Sequence, residues 1–372
     1  MRIGVPKETK AGEKRVAISP DVVKSLIKAG FQCHIESDAR LNASFTNDAY
    51  TAAGANIVSG AKEIYGNSDI VLKVNAPNAE EASQLKEGIC LVSFLYAYTI
   101  PEVIDILNQK KITAFAMDAV PRISRAQKMD ALSSQANLAG YKSVILGANE
   151  MGKIFPMLMT AAGTITPSKV LIFGAGVAGL QAIATAKRLG AVVEVTDVRP
   201  ETKEQVESLG GKFLTVQSGA EVKIEGGYAK EVSKEFLDAQ QALIKKHIKD
   251  ADLVITTALV VGRKAPVLVT EEMVKTMKPG AVIVDMAVES GGNCEISEKG
   301  QTVSKYGVKI VGETNLPSLL PFNASELYAK NIATFLIHIA NKDGFIWEAE
   351  EEIAKGSLIT KDGKSVHPSI VK

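Results

Sequence analysis

The chain has 372 residues and a net charge of +1, from 43 basic and 42 acidic side chains. That balance gives no electrostatic case for a nucleic-acid or anionic-membrane surface, and the length allows about two domains. Three cysteines without a CxxC spacing and four scattered histidines exclude a disulfide frame and a metal site, and point to a reducing compartment.

Lys7 and Glu8 arrive too early for a secretory signal, and no stretch reads as a transmembrane helix. Over the first 120 residues, short apolar runs alternate with amphipathic segments. Strands are expected at 3–5, 31–35, 70–74, 89–94 and 112–116, and helices at 21–29, 79–86 and 101–110. This alternation predicts a parallel sheet covered on both faces. The segment from Pro121 to Asn137 is dense in hydrogen-bonding side chains. Asp130 reads either as a cap for a long helix over 130–150 or as part of a polar platform with Arg122 and Gln127. Polar turn chemistry follows at Gly163 to Ser168.

A second series begins with the buried-strand pattern Val170 to Phe173, followed by Gly174-Ala-Gly176-Val-Ala-Gly179 and a helix over 180–189. A strand over 191–195 leads to Asp197, eighteen residues after Gly179. A glycine turn between strand and helix lets the backbone approach a pyrophosphate, and the helix N-terminus supplies N–H donors. Asp197 is placed to accept ribose hydroxyls and to repel a 2′-phosphate, so the expected cofactor is NAD(H) rather than NADP(H). Arg199 is the counter-indication, since an arginine there accommodates a 2′-phosphate. The plainer alternative is a tight turn with no nucleotide. If a dinucleotide binds, the Arg122–Gln127–Asp130 platform would meet its nicotinamide and ribose.

Residues 218–231 are polar and lack a core pattern; they read as a lid or as a surface loop. Further strands are expected at 253–255, 281–285 and 308–311, and a long helix over 323–341. The charge runs 245–246 and 348–352 read as solvated helix faces. The two long helices suggest that the chain leaves a first domain and returns to it. The expected fold is therefore α/β, with two Rossmann-like domains that have parallel sheets. Residues 1–130 plus 323–372 form one domain and 138–320 the NAD(H)-binding one. Long helices link them, and the ligand is expected in a cleft between them.

Several segments together resemble the alanine dehydrogenase/nicotinamide nucleotide transhydrogenase superfamily, over nearly the whole chain. They are Arg2-Ile-Gly-Val-Pro-Lys-Glu8, Glu13-Lys-Arg15-Val-Ala-Ile-Ser-Pro20, the Gly174–Gly179 turn, and Lys278-Pro-Gly-Ala-Val282 with Asp285. The 122–130 loop and Glu225-Gly-Gly-Tyr228-Ala-Lys230 resemble its proton-translocating transhydrogenase branch, specifically the NAD(H)-binding component as a separate, soluble alpha-1-type subunit. The chain departs from the dehydrogenase branch at three positions. Asn75 stands where that branch has a carboxylate-binding lysine, Tyr96 where it has a catalytic histidine, and Glu289 where it has an aspartate. Arg15 remains, but oxidative deamination also needs a base and a clamp.

The resemblance implies hydride transfer between NADH on this chain and NADP(H) on a partner subunit, coupled to proton translocation by integral membrane subunits. It implies a homodimer, peripheral at the cytoplasmic face of the membrane. Gln127 would contact the nicotinamide ribose and the partner, while Arg122, Asp130 and Ser133 set the ring position, with Ile123 and Ser124 beside them. Gly174, Gly176, Val177 and Gly179 would line the pyrophosphate turn. Asp197, Val198 and Arg199 would surround the adenosine ribose. Gly227 and Tyr228 would belong to a mobile loop at about 218–231, with Gln240 and Leu259 near the cofactor. An amino-acid dehydrogenase and a catalytically silent NAD(H)-binding subunit are the two alternatives.

Overall fold

The structure is a computed structural model that describes residues 1–39, 43–216, 223–225, 228–231, 234–259 and 264–370. Two compact units divide the chain: Met1–Gln135 with Pro317–Lys372, and Ala136–Leu316. The chain passes from the first to the second within the helix Ala131–Glu150.

The first unit opens with six parallel strands: β1 (Arg2–Val5), β2 (Gln32–Glu36), β3 (Asn56–Val58), β4 (Ile70–Leu72), β5 (Cys90–Ser93) and β6 (Thr113–Ala116). The second unit begins with an antiparallel hairpin, β7 (Leu158–Thr160) and β8 (Gly163–Ile165). Its main strands are β9 (Lys169–Phe173), β10 (Val192–Thr196) and β11 (Lys212–Phe213). A small hairpin follows, β12 (Lys223–Glu225) and β13 (Tyr228–Glu231), then β14 (Leu253–Thr256), β15 (Val282–Asp285), β16 (Thr302–Lys305) and β17 (Val308–Val311). Back in the first unit lie the pair β18 (Ala340–Asn341) and β19 (Gly344–Phe345), then β20 (Leu358–Lys361) and β21 (Lys364–Ser365).

The first sheet runs β21-β20-β6-β5-β4-β1-β2-β3 and the second β11-β10-β9-β14-β15-β17-β16. In both, the chain starts in the middle, winds outward to one edge and then crosses to the other side. This doubly wound order leaves a crevice at the carboxyl ends of β1 and β4, and another at those of β9 and β14. The strands are apolar throughout because both faces are covered. Along β9, Val170 and Ile172 join one core and Leu171 and Phe173 the other, the period-2 alternation of a pleated strand.

Three features differ from the sequence expectation. Each sheet has antiparallel pairing toward one edge, β20 against β6 with β21 beyond it and β16 against β17, instead of being wholly parallel. The turn chemistry expected at Gly163 to Ser168 opens with the second strand of a hairpin, Leu158–Thr160 with Gly163–Ile165, whose residues are all exposed, so no core pattern marks it. Within 218–231 the backbone of β12 and β13 pairs antiparallel, with Glu225 opposite Tyr228 across two intervening residues. Those two residues, Gly226 and Gly227, and residues 217–222 lie outside the described residues.

Candidate functional site

The glycine motif sits at the carboxyl end of β9, beside the topological switch to β14. Gly174 has φ 102, and a Cβ on it would lie 2.3 Å from Thr257 Oγ1. Gly179 permits an even closer approach, since its Cβ would lie 1.9 Å from the Gly174 carbonyl oxygen. Both glycines are explained by internal packing of strand, turn and helix. Gly176 is different: its Cβ would meet nothing nearer than Arg199 Nη2, at 3.9 Å. It caps the helix Val177–Arg188 without a side-chain hydrogen bond, and Val177 is the first helical residue, three positions ahead of the expected start. The turn thus presents helix N–H groups to open space that any larger residue would fill. That is the fit a pyrophosphate requires.

Gly140, which carries no motif in the sequence, brings the helix Ala131–Glu150 against this turn; a Cβ there would lie 2.1 Å from the Ala178 carbonyl. Thr257 donates to the Phe173 carbonyl, tying the end of β14 to the end of β9. The loop after β14 is held by Asn293, which accepts from Ala258 N–H and donates to the Ala258 and Pro266 carbonyls. Asn293 is itself fixed by Asp285, a fully buried carboxylate that accepts five hydrogen bonds, from Thr256, Ala287, Asn293, Cys294 and Ser297. Leu259 is exposed just beyond the pinned Ala258, and Gln240 is buried in the helix Lys234–His247.

Asp197 follows β10 and is 8% exposed. Its Oδ2 accepts from Ala175 N–H at 2.6 Å, which draws the carboxylate onto the glycine turn. Arg199 donates to it from the backbone, Nε and Nη2, with Val198 half-buried between them. The structure therefore brings together Gly174, Gly176, Val177, Gly179, Asp197 and Arg199. Gly227 lies outside the described residues, and Tyr228 opens β13.

In the first unit, Ser124–Met129 forms a 3₁₀ turn anchored by buried Ala126 and Met129. Arg122, Ser124 and Gln127 are exposed and Ile123 is half-buried. Asp130 does cap the long helix: Oδ1 accepts from Ser133 N–H at 2.8 Å and Oδ2 from Ser133 Oγ at 2.6 Å. Asn331, on the helix Pro321–Ile339, donates to the Lys128 carbonyl and accepts from Ser134 Oγ. Arg125 points elsewhere, pairing with Glu351 and Glu352. Cap and platform are thus compatible readings, because the capping hydrogen bonds fix the geometry that a platform needs.

A buried polar network fills the same unit near the positions that depart from the dehydrogenase pattern. Arg15 grips Glu13 with Nε and Nη2 and donates Nη1 to Gln135. Asn75 Nδ2 donates to Glu8 and Glu13. Lys73 pairs with Glu81 at 3.0 Å and Glu8 at 3.7 Å. Burial alone would raise the Glu13 pKa, but Arg15 and Asn75 outweigh it and hold the carboxyl well below the usual range. The arginine fork that could clamp a substrate carboxylate is spent on an internal one. Tyr96 is half exposed at φ 44, with its N–H on Asp118. Glu289 accepts from Asn315 N–H. Among the described residues no group of three or more His, Cys, Asp or Glu is placed to hold a metal ion. No described helix is long and apolar enough to cross a membrane.

Residues 4–139 match the alanine dehydrogenase/PNT N-terminal domain and residues 143–368 the C-terminal domain. An NAD(P) transhydrogenase subunit alpha polypeptide of Rhodospirillum rubrum is 54% identical over 379 aligned positions, covering 100% of this chain and 99% of that protein. An alanine dehydrogenase of Methanococcus maripaludis is 32% identical, covering 100% of this chain and 96% of that enzyme. The crystal structure of transhydrogenase from Sinorhizobium meliloti superposes with a TM-score of 0.90 at 44% identity, covering 98% of this chain and 100% of that one. Glycine turn, two doubly wound sheets and matches along both halves agree: this chain belongs to the alanine dehydrogenase/PNT family.

Proposed function

We propose that the chain is the NAD(H)-binding subunit of a proton-translocating transhydrogenase. A hydride passes from C4 of the dihydronicotinamide of NADH held here to C4 of the nicotinamide of NADP⁺ held on a partner subunit. Such a transfer needs neither general acid nor base; the protein must orient the rings and keep water out. The observation that carries this reading is the spent fork of Arg15 in a chain with an open dinucleotide turn: nucleotide chemistry is provided for, amino-acid chemistry is not. The Gly174–Gly179 turn and Asp197 hold the pyrophosphate and adenosine ribose. Arg122, Gln127, Asp130 and Ser133 act at the nicotinamide end. Membrane subunits couple the exchange to proton movement.

We further read the chain as a homodimer. Met157, Leu158, Met159 and Ile165 are 59%, 46%, 72% and 43% exposed on and beside the β7–β8 hairpin. A groove of about 840 Å³, lined by Met151, Ile154, Phe155, Pro156 and Leu189 among others, includes the segment that leads into the hairpin. An apolar hairpin next to an apolar groove suits a second copy of the same surface.

The test is stopped-flow mixing of NADH-loaded chain with the NADP⁺-binding subunit, beside a panel of amino and 2-oxo acids given to the chain alone. Rapid NADH oxidation on mixing and no turnover with the panel are expected. Sustained amino-acid-dependent NAD⁺ reduction would replace the proposal with a dehydrogenase. Binding of NADH without either reaction would leave a silent nucleotide-binding subunit.

A further inference from the structure

The acidic run 348–352, which reads in the sequence as a solvated helix face, meets the 122–130 platform through Arg125. Glu351 caps the helix Glu352–Ser357: its Oε2 accepts from Ile353 N–H at 3.0 Å and from Ala354 N–H at 2.9 Å. His338 Nε2, on the helix Pro321–Ile339, lies 3.0 Å from the same oxygen. Burial raises the Glu351 pKa, but His338 and the two N–H groups outweigh it and hold the carboxyl below the usual range. Oε1 is turned to Arg125, whose Nη2 lies 2.8 Å away and 3.1 Å from Glu352 Oε2. The same helix meets the loop a second time. Pro121 packs on Gly356, where a Cβ would lie 3.1 Å from Pro121 Cδ. Residues 122–124 are thus strung between two contacts with one helix.

We propose that Arg125 is a positioning residue for the nicotinamide platform, acting through Glu351 and Glu352 and not on the nucleotide. The proposal rests on the proposed role of Arg122, Gln127 and Asp130 in hydride transfer. The far end of the platform is fixed by buried Ala126 and Met129, by Asn331 on the Lys128 carbonyl and by the Asp130 cap. At the near end, Pro121 and Arg125 supply the ties to the helix. In a 3₁₀ turn successive side chains project about 120° apart, so Gln127 leaves the turn about a third of a revolution from Arg125. Holding Arg125 on the acidic pair therefore sets the direction in which Gln127 is presented. The Arg125 side chain is 54% exposed, and an ion pair so open to solvent contributes little to global stability. Its effect falls on the placement of its neighbours. Hydride transfer between two rings is sensitive to that placement, since a misplacement of about 1 Å costs about a hundredfold.

The test uses the full chain as wild type, Arg125→Met, Arg125→Lys, Glu351→Gln and the double variant Arg125→Met with Glu351→Gln. Methionine keeps the length of the stem without the charge, and glutamine keeps an acceptor for the helix cap. In the stopped-flow mixing assay, Arg125→Met is expected to slow hydride transfer about fivefold or more, with NADH affinity by calorimetry changed less than about twofold. Arg125→Lys should recover part of the rate. The double variant should be no slower than the slower single one, because both changes remove the same tie. Amide hydrogen exchange should quicken in Arg125→Met at residues 123–127 and stay unchanged elsewhere in the first unit. Melting curves check folding, and Glu351→Gln carries the test if Arg125→Met does not fold. Unchanged exchange at 123–127 overturns the proposal, as does an equal loss of rate and affinity, which would make Arg125 a nucleotide contact. Rate losses that multiply in the double variant also overturn it, because Arg125 would then act by a contact of its own. Should wild type transfer no hydride on mixing, the proposed function fails, and the exchange result alone judges the tie.

Discussion

Gly179 shows how little freedom the nucleotide turn has at the level of single atoms. An added Cβ would press on the backbone carbonyl of Gly174, which cannot rotate away. Gly179→Ala is expected to destabilise the second unit by about 1–3 kcal/mol and to weaken NADH binding about tenfold, read by thermal melting and calorimetry. Native affinity in that variant would remove the turn from the site. Gln127 makes a different demand. It is exposed on a 3₁₀ turn anchored by Ala126 and Met129 and held by Asn331. Gln127→Asn keeps the amide and shortens its reach. NADH affinity is expected to change by less than about threefold (~0.7 kcal/mol), while hydride transfer in the mixing assay slows by about tenfold or more (~1.4 kcal/mol). Equal loss of both would make Gln127 an ordinary nucleotide contact.

Glu13 links a residue to pH. Its folded pKa is depressed, so the stabilisation it provides is complete above the unfolded carboxylate range and is lost progressively as pH falls from there to the lower folded value. The Glu13–Arg15 pair should therefore survive mild acid, below about pH 4. Glu13→Gln leaves Arg15 buried without its carboxylate and is expected to cost about 3–5 kcal/mol at neutral pH. Urea titrations of wild type and variant across pH measure this. A variant as stable as wild type at about pH 7 would show that the network is not held by that pair.

At the scale of elements, the parallel strands and long helices are legible in the sequence and the edges are not. Val170 to Phe173 and Leu253 to Ile255 read as buried strands because a sheet covered on both faces needs unbroken apolar runs. The helix Pro321–Ile339 reads clearly because its apolar positions recur at helical spacing. β20 and β21 escape such a reading because they are four and two residues long and carry polar residues such as Lys361 and Lys364. The β7–β8 hairpin escapes it for the opposite reason. Leu158, Met159 and Ile165 are apolar yet face no core of their own unit, so their spacing carries no period. If a second copy covers them, Met159→Asp should shift sedimentation velocity from dimer to monomer without lowering secondary structure. A dimer that persists at micromolar concentration would place the interface elsewhere.

For the whole molecule, composition sets useful bounds. The cysteines have neither metal-site nor redox spacing, and in the structure Cys33, Cys90 and Cys294 are free and buried. Burial pushes the Cys33 thiol up to about 12 and the Cys294 thiol up to about 11, and raises Cys90 further. Thiolate is the reactive form, so iodoacetamide should label none of the three in the native chain and all three in guanidinium. Native labelling of any one would show that its surroundings open.

What the sequence determined by itself was local. A strand, three glycines, a helix and an aspartate at fixed spacing specify a dinucleotide turn, because each requirement falls on the backbone within about 25 residues. The substitutions at Asn75 and Tyr96 are equally readable, because they are changes in chemistry at named positions. Only the tertiary structure showed that Glu13 occupies the Arg15 fork, that Asn331 pins the Lys128 carbonyl, that Gly140 meets Ala178, and that Arg199 pairs with Asp197. Two of these pairings join distant positions, and the local ones depend on side-chain direction and burial. Spacing along the chain records which groups are available; which partner each group takes is decided by packing.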